Sequence, residues 1–148
     1  MAQIQIIVGS VMGTAVEVAE VVAATLEGCG HSPRINAAFQ PGQLGEEPDE
    51  VMLICTSNTG MGDLPANIAP LYAHLRDDAP AITGQRYGVI NLGDSSYPNF
   101  AQAGVTLDEA MADLGAVRVG EPLVIDAILT TDHADEACAW AREWEQLL

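Results

Sequence analysis

Three glycine-bearing segments, each after an apolar run of strand length, carry residue types suited to a nucleotide-like ligand. They are Gly9-Ser10-Val11-Met12-Gly13-Thr14, Thr56-Ser57-Asn58-Thr59-Gly60-Met61-Gly62-Asp63 and Asn91-Leu92-Gly93-Asp94-Ser95-Ser96-Tyr97-Pro98-Asn99-Phe100. In the first, a glycine-bearing turn leading into a helix presents unpaired backbone N–H groups and the positive end of the helix dipole, which together seat a phosphate. The Ser10 and Thr14 hydroxyls add donors. The segment lacks the terminal lysine of a P-loop and the glycine spacing of the dinucleotide fingerprint. Taken alone it also reads as a plain strand-to-helix turn. The third segment sets Tyr97 among turn residues, where burial in a core is not the obvious role for an aromatic ring.

These segments must be positioned by the elements that precede them. Ile4 to Val8, Val51 to Cys55 and Tyr87 to Leu92 are continuous apolar runs of strand length, the pattern of strands buried on both faces. Two further strands are expected, around Arg34 to Phe39 and centred on Leu123-Val124-Ile125, the latter in a stretch running from Arg118 to Ile128. Helical spacing follows each loop: Val18, Val21, Val22 and Leu26 within Thr14 to Glu27; Ile68, Leu71, Tyr72 and Leu75 after Pro65; Val105 to Leu114. The last helix follows Asp132, with Ala137, Trp140, Ala141, Trp144, Leu147 and Leu148 on one stripe. Gln40 to Glu50, rich in Gly, Pro and acids, is a surface loop.

This alternation predicts one α/β domain over residues 1–148: a doubly wound, five-stranded parallel sheet of order 2-1-3-4-5 with helices on both faces. Parallel strands bring all three segments to one carboxyl edge. The switch point falls between strands one and three, so the first two loops face each other across a crevice.

The net charge of -16, from 21 acids against five arginines and no lysine, argues against nucleic acid and anionic membranes as partners and favours a basic protein surface. Cys29, Cys55 and Cys138 are odd in number and lack C-x-x-C pairing, which signals neither a disulfide framework nor a zinc site and makes a reduced, cytoplasmic setting the expectation. No run of 18 apolar residues and no signal-peptide pattern occurs. Trp140 and Trp144 have the spacing of core residues, and His31, His74 and His133 show no ligand spacing and read as surface or satisfied side chains.

With these residues in place, the sequence resembles the short-chain flavodoxins along its whole length, and most of all the small MioC-type bacterial proteins and the FMN domains of diflavin reductases. The Gly-Asp-Ser-Ser-Tyr-Pro-Asn-Phe stretch is the most specific match and the first loop the least. The resemblance implies FMN as cofactor, with the phosphate held by backbone groups of Val11, Met12, Gly13, Thr14 and Ala15 and by the Ser10 and Thr14 hydroxyls. Ser57, Asn58, Thr59, Gly60 and Met61 would cover one face of the isoalloxazine. Leu92, Gly93 and Asp94 with Tyr97, Asn99 and Phe100 would form the other side, Tyr97 stacking on the ring and Asp94 near its pyrimidine edge.

The peptide after Gly60 would turn over on reduction, so that its carbonyl accepts a hydrogen bond from flavin N5. Where many relatives carry an aromatic this chain has Thr59, and Met12 and Ala15 replace hydroxyl residues, so weaker FMN binding is expected. The implied function is one-electron transfer from a basic-faced flavoprotein reductase to an acceptor protein through semiquinone and hydroquinone states, by a monomer that is not itself an enzyme. Two other classes remain open at this point: an FMN-binding accessory or regulatory protein, and a two-electron FMN reductase.

Overall fold

The first apolar run forms strand β1 (Gln3–Gly9), buried at every position from Ile4 onward, as a strand covered on both faces requires. It lies inside a parallel sheet in the computed structural model, which describes residues 2–10, 13–40, 49–57, 64–93, 102–126 and 133–148. β1 pairs with β2 (Ser32–Asn36) on one side and β3 (Val51–Ser57) on the other, and β4 (Arg86–Gly93) extends the sheet beyond β3. Helices α1 (Thr14–Gly28) and α4 (His133–Trp144) pack on the face carrying Ile4, Ile6, Val8, Leu53 and Cys55. Helices α2 (Ala69–Asp77) and α3 (Gln102–Asp113) cover the opposite face, with Ile7, Met52, Ile54 and Val89. Alternating side chains of the central strands thus supply two cores.

The expected order 2-1-3-4-5 is observed for the lanes of the sheet, but the fifth lane is in two pieces, β5 (Val117–Arg118) and β6 (Leu123–Asp126), both parallel to β4. Between them the four residues 119–122 stand opposite only two of β4, Gly88 and Val89. The extra backbone is tied to α4. Trp144 Nε1 donates to the Val119 carbonyl at 3.0 Å and Trp140 Nε1 to the Glu121 carbonyl at 3.1 Å. The two indoles stack 5.2 Å apart and the Trp144 ring lies against Gly88, where a Cβ would stand 2.8 Å from it. Trp144 therefore has the core role its spacing indicates and Trp140 packs partly buried against that core, while Leu147 on the same stripe is 59% exposed.

Two other boundaries moved. β2 begins at Ser32 rather than near Arg34, because pairing with β1 sets its register from Gln3↔Ser32 to Ile7↔Asn36. Phe39 is buried in the second core beyond the strand. α2 begins at Ala69, preceded by a turn in which Ile68 and Ala69 N–H donate to the Pro65 carbonyl. Pro70 sits in the first helical turn, where its missing N–H costs nothing.

At the amino edge the buried Tyr87 hydroxyl donates to the Asp108 carboxylate, which also receives Arg118. Burial first, and the bond to Asp108 second, hold the Tyr87 phenol well above its ordinary value. The folded chain therefore retains this proton more tightly than the unfolded chain, whose phenol titrates near about pH 10. The resulting stability is present below that pH and declines above it. Urea unfolding at about pH 8 and about pH 10.5 is expected to show a smaller loss in Tyr87→Phe than in the wild type.

Candidate cofactor site

The sheet register determines which loops meet. Gly9 pairs with Thr56, Ser57 with Leu92 and Gly93 with Asp126, so β1, β3, β4 and β6 end side by side at one carboxyl edge. From β1 the chain turns onto one face as α1, and from β3 it continues to α2 on the other. The two connections thus leave toward opposite faces, which makes this the switch point of the sheet.

At the start of α1, Gly13 occupies the N-cap position with φ 87° and ψ -6°, a left-handed conformation that glycine adopts without the penalty of a Cβ. A glycine cap has no side chain to donate, and no side-chain cap bond is present. The first intrahelical bond runs from Glu17 N–H to the Gly13 carbonyl, so the first-turn N–H groups point out of the helix end without partners from its own ladder. Ser10 Oγ accepts the Gly13 N–H at 2.8 Å, which leaves its own hydroxyl proton to donate outward. Among the described residues nothing lies within 4 Å of where a Gly13 Cβ would stand. Among the described residues, uncapped donors, a hydroxyl with a proton left to donate and open space fit a phosphate group.

Of the residues expected to line the site, Ser10, Gly13, Thr14, Ala15, Ser57, Leu92 and Gly93 lie together along this edge. The Ala15 side chain is fully buried in the first core, so only its backbone faces the helix end. Leu92 is likewise a core side chain at 5% exposure. Ser57 Oγ donates to the Gly9 carbonyl at 3.4 Å, tying the end of β3 to the first loop. Val11, Met12, Asn58, Thr59, Gly60, Met61, Asp94, Tyr97, Asn99 and Phe100 lie outside the described residues.

One residue of this region was not legible as part of it. Asn67, in the turn before α2, places its side chain on the first loop: its Oδ1 accepts the Ser10 N–H at 3.0 Å, and its Nδ2 donates to the carbonyls of Val8 and Ala37. The neighbouring Ile68 packs on Gly9. The histidines divide. His31 bonds to the Ala2 N–H and Glu145, and His74 to Asp78, as satisfied side chains do. His133 differs: its Nε2 is buried without a partner among the described residues, and the residue lines a hollow together with Thr14, Glu17, Val18 and Val21.

Charge is segregated along the strand direction. Arg34 sits mid-strand opposite Gln5, Arg86 begins β4 and Arg118 lies opposite Tyr87, none of them level with the carboxyl ends of β1 and β4 at Gly9 and Gly93. Arg76 and Arg142 occupy the last turns of α2 and α4, which also return to the amino edge. These are the only five cations besides histidine in the sequence, so the carboxyl edge has no lysine or arginine. A phosphate placed there would be held by N–H groups, hydroxyls and the helix dipole. Beneath it, burial pushes the Cys55 thiol up to about 12, which keeps it a neutral core side chain.

Residues 6–140 match the family profile described as Flavodoxin. The chain is 40% identical to Flavodoxin YqcA of Pectobacterium carotovorum subsp. carotovorum, an alignment that covers 100% of this chain and 98% of that protein. It is 32% identical to Protein MioC of Escherichia coli (strain K12), over 100% and 99%. Among solved structures, the C101A mutant of flavodoxin from Pseudomonas aeruginosa superposes with a TM-score of 0.91 at 38% identity, covering 99% of this chain and 98% of that one.

Proposed function

Because the chain belongs to the flavodoxin family, whose members bind FMN and transfer electrons rather than transform substrates, we propose that it carries single electrons from a basic-faced flavoprotein reductase to an acceptor protein. The observation that supports the site is the uncapped start of α1 at a carboxyl edge without lysine or arginine. FMN, when bound, supplies a ring that exchanges electrons one at a time.

In this reading the backbone of Val11 to Ala15 and the hydroxyls of Ser10 and Thr14 bind the phosphate, and the fixed dipole of α1 substitutes for a cation. Ser57, Asn58, Thr59, Gly60 and Met61 cover one face of the ring. The Gly60 carbonyl is the acceptor for a proton at flavin N5. A turn that needs φ > 0 at residue 60 costs glycine little and a residue with a Cβ about 1–2 kcal/mol. Leu92, Gly93, Asp94, Asn99 and Phe100 shape the opposite side, where Tyr97 stacks on the ring. With Thr59 in place of an aromatic, the inner face is covered by small side chains and Met61, so weaker FMN binding is expected.

Tyr97→Ala is expected to weaken FMN binding by roughly tenfold, the aromatic contact contributing about 0.5–1.5 kcal/mol beyond area burial. Quenching of FMN fluorescence on titration with apoprotein measures it, and unchanged affinity removes Tyr97 from the ring face.

The partner's character follows from charge. A reductase must approach an edge without lysine or arginine, where Asp126 ends β6 and Asp135 and Glu136 occupy the first turn of α4. A basic docking face meets that requirement, and reduction by such a partner should slow as salt is raised. The same reading takes residues 1–148 as one domain, acting as a monomer. Three free cysteines, Cys29 exposed among them, support a reducing cytoplasmic setting. Among the described residues no helix is long and apolar enough to cross a membrane.

A further inference from the structure

We propose that Asn67 is a positioning residue for the phosphate loop, acting through Ser10. It rests on the reading that this loop holds the FMN phosphate. Asn67 belongs neither to the loop nor to the helix that follows it. Its side chain nonetheless joins three segments that separate at the switch point: β1 through the Val8 carbonyl, the start of the loop through the Ser10 N–H, and the exit of β2 through the Ala37 carbonyl.

All three side-chain bonds lie between 3.0 and 3.1 Å and use the amide in one orientation only, Oδ1 toward an N–H and Nδ2 toward two carbonyls. Beyond Ser10 the chain of bonds continues. Fixing the Ser10 backbone fixes its Oγ, which accepts the Gly13 N–H and closes the turn that aims the start of α1. Ile68 anchors the arrangement from below, since it is fully buried and packs directly on Gly9. Asn67 thus sets the loop in its binding conformation before ligand arrives, which lowers the ordering cost of binding. It touches the loop backbone, and the loop touches the phosphate.

A residue that shapes only the phosphate seat should alter affinity for FMN and leave affinity for riboflavin, which has the same ring and no phosphate, nearly intact. The experiment titrates full-length wild type, Asn67→Ala, Ser10→Ala and the double variant with FMN and with riboflavin, and records thermal unfolding of each apoprotein. Asn67→Ala is expected to bind FMN roughly tenfold more weakly, with riboflavin affinity changed less than about threefold. The double variant should lose less than the sum of the two single losses in FMN binding, because both residues act on one turn. Equal losses for FMN and riboflavin, or additive effects, would overturn the proposal.

Wild type binding both ligands equally would instead overturn the phosphate-loop reading itself, and the proposal with it. Should Asn67→Ala not fold, amide exchange of the wild-type apoprotein decides. Protection of the Ser10 N–H is required, and exchange at the free-peptide rate refutes the Asn67 bond.

Discussion

Trp144→Ala is expected to cost about 3–5 kcal/mol of folding stability, the range for removing a large buried aromatic side chain. The side chain is 2% exposed and does three things that no smaller residue can do together. It fills the space over Gly88, it stacks on Trp140, and its N–H satisfies the Val119 carbonyl. The loss therefore combines a cavity over the middle of β4 with a backbone acceptor released in the fifth lane. Against a total stability of about 5–15 kcal/mol, the melting temperature should drop by roughly 10 °C. Trp144→Phe fills most of the space and loses the hydrogen bond, so an intermediate drop is expected. Thermal unfolding of the three apoproteins checks the series. Equal stability of Trp144→Ala and wild type would mean that α4 does not clamp the fifth lane.

Gly9→Ala is expected to damage stability and cofactor binding together. A Cβ at this position would stand 2.5 Å from Ile68 Cγ2 and 2.6 Å from Thr56 Oγ1, closer than packed atoms approach. Both neighbours are fully buried β-branched side chains with few rotamers to move into. Overpacking of this kind costs about 1–3 kcal/mol. Relief requires Ile68 to back away, and Asn67 moves with it, so the Ser10 turn loosens and FMN affinity should decline by about tenfold. Gly13→Ala has open space around it but a positive φ, so it should strain the loop backbone with little disturbance of the core. A Gly9→Ala protein with wild-type melting and wild-type FMN affinity would show that the close approach of β1 and Ile68 is not required.

Much of this fold was legible because its strands are short, apolar and separated by loops with glycine, and because a β-α alternation admits few topologies. Trp144 was placed correctly in the core from a helical stripe alone, and Trp140 packs partly buried against it. What was not legible depends on pairings across the sheet. Nothing local in Val119-Gly120-Glu121-Pro122 announces that these residues stand opposite only two of β4; that excess appears once Arg118 is opposite Tyr87 and Leu123 opposite Ile90. β2 was shifted for the same reason, its register being set by β1.

The site divides in the same way. Ser10 and Gly13 could be selected by type, because a hydroxyl and a glycine beside a helix start have a stated chemistry. Asn67 could not, since its bonds reach 57 residues back to Ser10 and 59 back to Val8. An asparagine between Pro65 and Pro70 reads as an ordinary turn residue, and a proline signal placed the helix four residues early. His133 was expected to be a surface or satisfied side chain and has a buried Nε2 without a partner among the described residues, at the place where α1 and α4 meet rather than in any local pattern.

The central claim is that this chain holds FMN and passes electrons singly. The most direct measurement is stepwise anaerobic reduction of the FMN-reconstituted protein, with visible spectra recorded at each step, for wild type and Gly60→Ala. The account predicts two separated reduction steps in the wild type, with a long-wavelength band that rises during the first and disappears during the second, and a lower first potential in Gly60→Ala. Bleaching of bound FMN in a single two-electron step, with no such band and no effect of Gly60→Ala, would contradict it.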